Sequence, residues 1–208
     1  MEAQISQVRN IIFDLGGVLL NLDFGLTEKA FLDLGLPDLN AIYSHAQQTG
    51  LFDDFEKGNI SPGEFRMQMK KFIGLNVSDE AIDSAWNAML LDLPLGRVEV
   101  LQRVKKTHRI FLLSNTNEIH YSAYSGYLKK AHGFPDLSHI FEREYLSYKM
   151  GMRKPDAEIF ERVLEENKLR KEETLFIDDT IRHIEGARRV GIHALHLEKG
   201  KTILDIFP

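Results

Sequence analysis

The tightest constraint on what this chain can fold into is a set of short apolar runs, most of which stop at a polar or charged residue. Asn10-Ile11-Ile12-Phe13 stops at Asp14-Leu15-Gly16-Gly17, and comparable runs recur at Ile110-Phe111-Leu112-Leu113, around Glu144-Tyr145-Leu146, at Thr174-Leu175-Phe176-Ile177 and at Ile192-His193-Ala194-Leu195. Runs of this length read as strands buried on both faces, closed by turns. Between them lie helix-period stretches at roughly 96–106, 117–131, 155–168 and 180–190, each long enough for a crossover. Strands that alternate with helices form β–α units, and strands apolar on both faces need helices on each side. The expected core is therefore α/β, a doubly wound parallel sheet of five strands.

Residues 22–94 break this rhythm. They hold no convincing strand but several helical stretches, about 25–35, 38–49, 61–73 and 79–91, with Phe65, Met69 and Phe72 on one amphipathic stripe. An all-helical block inserted directly after the first strand predicts a cap subdomain, 22–94, on a core built from residues 1–21 and 95–208. The joints are expected near Asn21–Phe24 and Leu93-Pro94-Leu95-Gly96.

Composition removes whole classes of function. The 26 basic against 31 acidic residues leave a formal charge of −5, which argues against nucleic acid or an anionic membrane as partner, since both need a basic stripe. Cysteine is absent, so disulfides, thiolate catalysis and iron–sulfur ligation drop out, and any metal must sit on oxygen or imidazole. The opening Met1–Gln7 is polar, and no window reaches about 18 uncharged apolar residues. Neither a signal peptide nor a membrane span is expected, and the default location is cytoplasmic.

Ligands of open parallel sheets bind beyond the carboxyl ends of the strands, so the residues after each run are where chemistry is sought. The first run ends in Asp14, the second in Ser114-Asn115, the segment after the third carries Lys154, and the fourth ends in Asp178-Asp179. Three carboxylates, an ammonium and a hydroxyl are expected to converge in one pocket. Carboxylate oxygens suit a hard cation such as Mg²⁺, with substrate phosphate completing its shell. Lys154, Ser114 and exposed backbone N–H groups suit phosphate oxygens. Gly16-Gly17 has the spacing of neither a dinucleotide fingerprint nor a Walker A loop.

Four segments in order, Phe13-Asp14-Leu15-Gly16-Gly17-Val18-Leu19, Leu113-Ser114-Asn115-Thr116-Asn117, Gly151-Met152-Arg153-Lys154-Pro155-Asp156 and Phe176-Ile177-Asp178-Asp179, resemble the four motifs of the haloacid dehalogenase superfamily. The wording is similar to that of its α-D-glucose-1-phosphate phosphatase-like branch, and the resemblance spans nearly the whole chain. It implies a Rossmann-like core with a helical cap and phosphoryl transfer through an aspartyl-phosphate. Asp14 is implied as the nucleophile, its second oxygen on Mg²⁺. The backbone carbonyl of Gly16, with Asp178 and Asp179, is implied to complete the metal site, and Ser114, Asn115 and Lys154 to bind the phosphoryl group.

Two positions depart from that pattern. Most phosphatases and mutases of the superfamily carry a second Asp two residues after the nucleophile, as acid for the leaving group and base for the attacking water; here that position is Gly16. The usual proton-transfer assignment does not carry over, and mutase activity is disfavoured. Four residues after Asp179, where the family often has Asp or Asn, stands His183, an accessory candidate expected on the same helix face as Asp179. Asp23, the spare carboxylate near the first loop, reads as a hinge residue or as a stand-in for the missing acid.

The expected function is Mg²⁺-dependent hydrolysis of a small phosphorylated metabolite, a sugar phosphate foremost. One alternative is a non-catalytic phosphometabolite-binding or interaction module, motivated by Gly16. Another is a metal-independent 2-haloacid dehalogenase, disfavoured because Asp178-Asp179 would repel an anionic acid. Trp86-Asn87 and Phe52 with Glu56 are the cap candidates for facing substrate. Tyr121, Tyr124 and Tyr127 read as a packing or surface stripe, and Arg153 as a surface residue. The pattern specifies no oligomeric state.

Overall fold

The computed structural model describes residues 7–36, 50–73 and 76–208. In chain order, strand β1 (Asn10–Phe13) is followed by helices α1 (Phe24–Asp33), α2 (Leu51–Glu56), α3 (Pro62–Ile73), α4 (Asp79–Asn87) and α5 (Leu95–Val104). Then come β2 (Arg109–Ser114), α6 (Glu118–His132), β3 (Arg143–Leu146), α7 (Ser147–Met150) and α8 (Ala157–Asn167). The chain closes with β4 (Thr174–Asp178), α9 (Ile181–Val190), β5 (His193–His196) and α10 (Ile203–Ile206).

The five strands form one parallel sheet in the order β3-β2-β1-β4-β5. All four residues of β1 are buried, and the period of two sends them to two apolar layers. Ile11 and Phe13 pack with Val98 and Leu101 of α5 and Leu128 of α6, while Ile12 packs with Phe160 of α8 and Ile184 of α9 on the other face. The expected doubly wound α/β core is thus observed. From β1 the chain builds outward through β2 and β3, then returns to the opposite flank of β1 for β4 and β5. The strand order reverses between β1 and β4, and the crevice at that switch point opens where Asp14 and Asp178 stand.

The inserted segment supplies a third apolar cluster, in which Phe31, Phe55, Phe65, Met69 and Ile82 pack together and Ile119 of α6 reaches in. The expected helix at 25–35 is α1, and its N-cap is Asp23, whose carboxylate accepts from Gly25 N at 2.9 Å. The expected helix at 38–49 lies outside the described residues. Helix α2, which no periodicity announced, has only six residues, too few to display a helical stripe. The helix expected over 79–91 ends at Asn87. Beyond it the two joints run side by side: Leu22 and Leu90 form an antiparallel bridge, Asn21 N donates to Asp92 O at 2.8 Å and Asp23 N to Met89 O at 2.9 Å. No helix among the described residues is long and apolar enough to cross a membrane.

Candidate active site

Asp14 follows β1 directly, and its backbone N–H donates to Ile177 O at 2.9 Å, which continues the ladder with β4 and sets Asp14 beside Asp178. Lys154, in the loop between α7 and α8, enters beneath them and is wholly buried. Its ammonium has three N–H donors and meets three oxygens: Asp14 Oδ1 at 2.8 Å, Asp178 Oδ2 at 2.7 Å and Leu113 O at 3.0 Å. A buried charge is tolerated only when paired in this way. Asn115 fixes the lysine from behind, its amide donating to Lys154 O at 3.0 Å and accepting from Lys154 N at 2.9 Å.

The two carboxyl groups titrate in opposite directions. Burial, reinforced by the Asp178 charge, lifts Asp14 well above the usual carboxylate range despite Lys154. Burial also acts on Asp178, but there Lys154 and a hydrogen bond from His183 outweigh it and hold the carboxyl well below that range. Asp179 is raised by burial and by Asp178. Three acids around one ammonium leave a surplus of negative charge, and the ligand atoms of Asp14, Asp178 and His183 lie within 4.8 Å of one another. An oxygen-rich donor set short of positive charge fits a divalent cation.

Several site residues sit otherwise than expected. His183 Nδ1 lies 3.0 Å from Asp178 Oδ2 and does not pair with Asp179, because α9 begins at Ile181 and the helical spacing from Asp179 does not apply. Asp23 is exposed and occupied as a helix cap, and it is not among the residues that line the cavity. Lys154 was expected to touch the phosphoryl group; its three donors are all used within the protein, and it does not reach the cavity wall. Asn115 reaches that wall, but its side-chain amide is committed to the Lys154 backbone. Ser114 does face the cavity, its hydroxyl making only a long 3.5 Å contact to Asn115 O.

The two glycines have separate reasons. Gly17 has φ +71°, and a Cβ there would lie 2.0 Å from Asp179 Oδ2, so the Asp179 carboxylate packs directly on its backbone. A Cβ at Gly16 would lie 2.7 Å from Leu22 Cδ1. The space an acidic side chain would take at Gly16 is filled by Leu22 from the joint.

Above this floor is a cavity of about 310 Å³ whose far wall includes Phe52 and Glu56 of α2, Trp86 of α4, and His120 and Tyr124 of α6. Trp86 stacks on His120, with centroids 5.2 Å apart and planes 3° from parallel. His120 Nδ1 lies 2.9 Å from Asn87 Oδ1, and burial lowers its pKa to about 4, so the ring is neutral at pH 7. Burial raises Glu56 to about 7, against the pull of Lys154. Arg153 is no surface residue: it pairs with Asp53, and its Nη2 lies 2.9 Å from Glu56 Oε2. Even so, Glu56 Oε2, Trp86 Nε1 and Tyr124 Oη are buried without an aligned hydrogen bond among the described residues. Sequence reasoning missed His120, whose position on a helix said nothing of the ring beneath it, and placed Tyr124 in a mere stripe.

Sheet order, the acids at its switch point and the insertion after β1 define a doubly wound α/β protein with an anionic pocket at its strand ends. The chain belongs to the haloacid dehalogenase-like hydrolase family, whose model matches residues 8–191. It is 32% identical over 193 residues to a D-ribitol-5-phosphate phosphatase from Bacteroides thetaiotaomicron, covering 93% of each chain. It is 31% identical over 190 residues to a sesquiterpene phosphatase from Aspergillus oryzae, covering 89% of this chain and 88% of the relative. Among solved structures it is similar to a HAD family enzyme from Bacteroides thetaiotaomicron in complex with magnesium and inorganic phosphate, with TM-score 0.86, 35% identity, and 97% of this chain and all of the other covered.

Proposed function

We propose that this chain is a Mg²⁺-dependent phosphomonoester hydrolase that acts on a small phosphorylated sugar or sugar alcohol through an aspartyl-phosphate on Asp14. The observation that carries the reading is the Lys154-bridged pair Asp14 and Asp178 beneath the cavity. The names of the relatives, one a polyol-phosphate phosphatase, support the same chemistry. Asp14, Asp178, Asp179 and the Gly16 carbonyl are the groups assigned to hold the ion. The chemistry a bound Mg²⁺ supplies is neutralisation of the phosphoryl oxygens.

The chain's own groups supply the rest. Asp14 Oδ1 takes the hydrogen bonds from Leu15 N and Lys154, which orients the carboxylate for attack on phosphorus. Lys154 acts through charge, opposing the burial that raises Asp14 and offsetting the incoming phosphoryl group from below. Ser114 offers its hydroxyl to a phosphoryl oxygen. Residues 22–94 serve as a cap over the 1–21 and 95–208 core, excluding water and selecting the alcohol. The paired joints at Leu22 and Leu90, together with ion pairs such as Lys57 with Asp156 at 3.3 Å, support that role.

The apolar side of the cavity, with Leu20, Leu22, Phe24, Met89 and Leu90, favours a second reading in which the alcohol is a hydrocarbon chain. Phosphate release from a panel of hexose, pentitol and prenyl phosphates with Mg²⁺ decides between them, with Asp14→Asn as blank. Release by the wild type should exceed the blank by more than roughly 10⁴-fold, as loss of a nucleophile typically costs. No release above that blank from any ester would end the phosphatase reading.

A further inference from the structure

We propose that Glu56 is the proton-transfer group of this site, giving a proton to the ester oxygen as the alcohol leaves and taking one from the water that follows. The proposal rests on the phosphatase reading above. An alkoxide leaves poorly without a proton and water attacks poorly without a base, so the reaction calls for such a group.

Geometry selects it. In-line displacement places the leaving oxygen on the side of phosphorus opposite the nucleophile, hence away from Asp14 and towards the wall formed by the inserted helices. Among the described residues three carboxyl groups line the cavity: Asp14, Asp179 and Glu56. Asp14 is the nucleophile and Asp179 lies against Gly17 at the floor, which leaves Glu56 as the carboxyl on the leaving-group side. The other titratable groups of that wall are unsuited: His120 is neutral and held by Asn87, and burial raises Tyr124. Gly16 cannot contribute, and Leu22 fills the space above it.

Glu56 Oε2 is buried and meets the Arg153 guanidinium at 2.9 Å without an aligned hydrogen bond, and a ligand oxygen sharing its proton would supply one. The charged and titratable groups around it are Arg153 at 2.9 Å, Lys154 through its charge, His120 and Tyr124 on the same wall, and Asp14, Asp179 and His183 across the cavity. With burial outweighing the Lys154 charge, the group titrates at about 7, where donation and acceptance are both open to it.

The proton count closes. In the first step the bond from Asp14 to phosphorus forms, the bond from phosphorus to the ester oxygen breaks with its electron pair on oxygen, and the Glu56 proton moves to that oxygen. In the second, water oxygen bonds to phosphorus, its proton passes to the Glu56 carboxylate, and the bond to Asp14 breaks with the pair returning to the carboxylate.

The test compares kcat/KM of Glu56→Gln and wild type on the best primary-alcohol phosphate of the panel and on p-nitrophenyl phosphate, whose nitrophenolate leaves without a proton. Because kcat/KM reports the steps through alcohol release, the alkyl ester should lose roughly 10²–10³-fold. The loss on the aryl ester should be at least about tenfold smaller. Equal losses on both esters overturn the proposal, since they mean that Glu56 only holds Arg153 in place; so does no loss on either. Should Glu56→Gln fail to fold by circular dichroism, wild-type pH profiles decide. The alkyl kcat/KM should fall above about 7, where Glu56 loses its proton, and the aryl profile should not; parallel profiles overturn the proposal. A wild type that releases phosphate from no ester overturns the function instead, a result distinct from all of these.

Discussion

The floor and the far wall of one cavity treat their polar atoms in opposite ways. At the strand ends Lys154 satisfies three acceptors, Asp178 accepts from Lys154 and Thr180 and contacts His183, and Asn115 ties down the loop. On the far wall Trp86 Nε1 and Tyr124 Oη are buried without hydrogen-bond partners among the described residues. Each such atom typically costs about 1–3 kcal/mol. On the floor the Lys154 network is formed before anything binds, as preorganised electrostatics requires, and what it lacks is positive charge; the wall lacks hydrogen-bond partners. Charge is concentrated at the strand ends, and the aromatic lining comes from the inserted helices and α6.

The comparison breaks most visibly at Lys154. Lys154→Met leaves Asp14 and Asp178 without their shared cation, and kcat/KM should fall roughly 10²–10³-fold. Removing one partner from a buried ion pair should also lower unfolding stability by about 3–5 kcal/mol in urea melts. A variant that kept both would erase the distinction between floor and wall.

Next is the pH response of the wall. Burial lowers the His120 pKa to about 4, below the ordinary imidazole value of 6.5. Between those values the unfolded chain binds a proton that the folded chain does not, so stability is intact above 6.5 and is lost as pH falls towards 4. The loss should reach about 3 kcal/mol at the lower limit. In His120→Gln the dependence of Tm on pH across this window should flatten, and an unchanged slope would show that another group carries it.

Mg²⁺ sharpens the floor. Relief of repulsion among Asp14, Asp178 and Asp179 should stabilise the fold by about 2.7 kcal/mol at 100-fold excess over Kd, a Tm rise of roughly 5–10 °C. Asp178→Asn should abolish most of it. An unchanged Tm at millimolar Mg²⁺, with activity surviving EDTA, would sink the metal assignment.

The smallest effect on stability is expected at the wall. Trp86→Phe keeps an aromatic face and removes the unpaired Nε1 together with part of the indole that packs on His120, so stability should fall by no more than about 1–2 kcal/mol. KM should increase with kcat little changed if that N–H binds the alcohol portion of the substrate.

Much of the floor is legible along the chain because its signals are local. A buried strand is a short apolar run, its end is a turn, and the order of Asp14, Ser114, Lys154 and Asp178-Asp179 already places acids and a base at one edge of a parallel sheet. What each of these side chains touches is not local. That Lys154 lies beneath Asp14 with every donor used, or that His183 pairs with Asp178 and not Asp179, follows from the packing of four separate segments.

For the wall, little was written in one dimension. Helix α2 is shorter than the two turns a periodic pattern needs, Asp23 looks the same whether it caps a helix or faces a substrate, and Tyr124 and Arg153 carry no mark of burial. The alternation of strands and helices, and with it the sheet and its acidic edge, is written in the chain, because periodicity and turn chemistry act between near neighbours. The position of Leu22 beside Gly16 and the meeting of Glu56, Trp86 and Tyr124 in one cavity arise in the folded molecule alone. Those facts depend on how a layer of helices docks on the sheet, a contact between residues far apart in the chain.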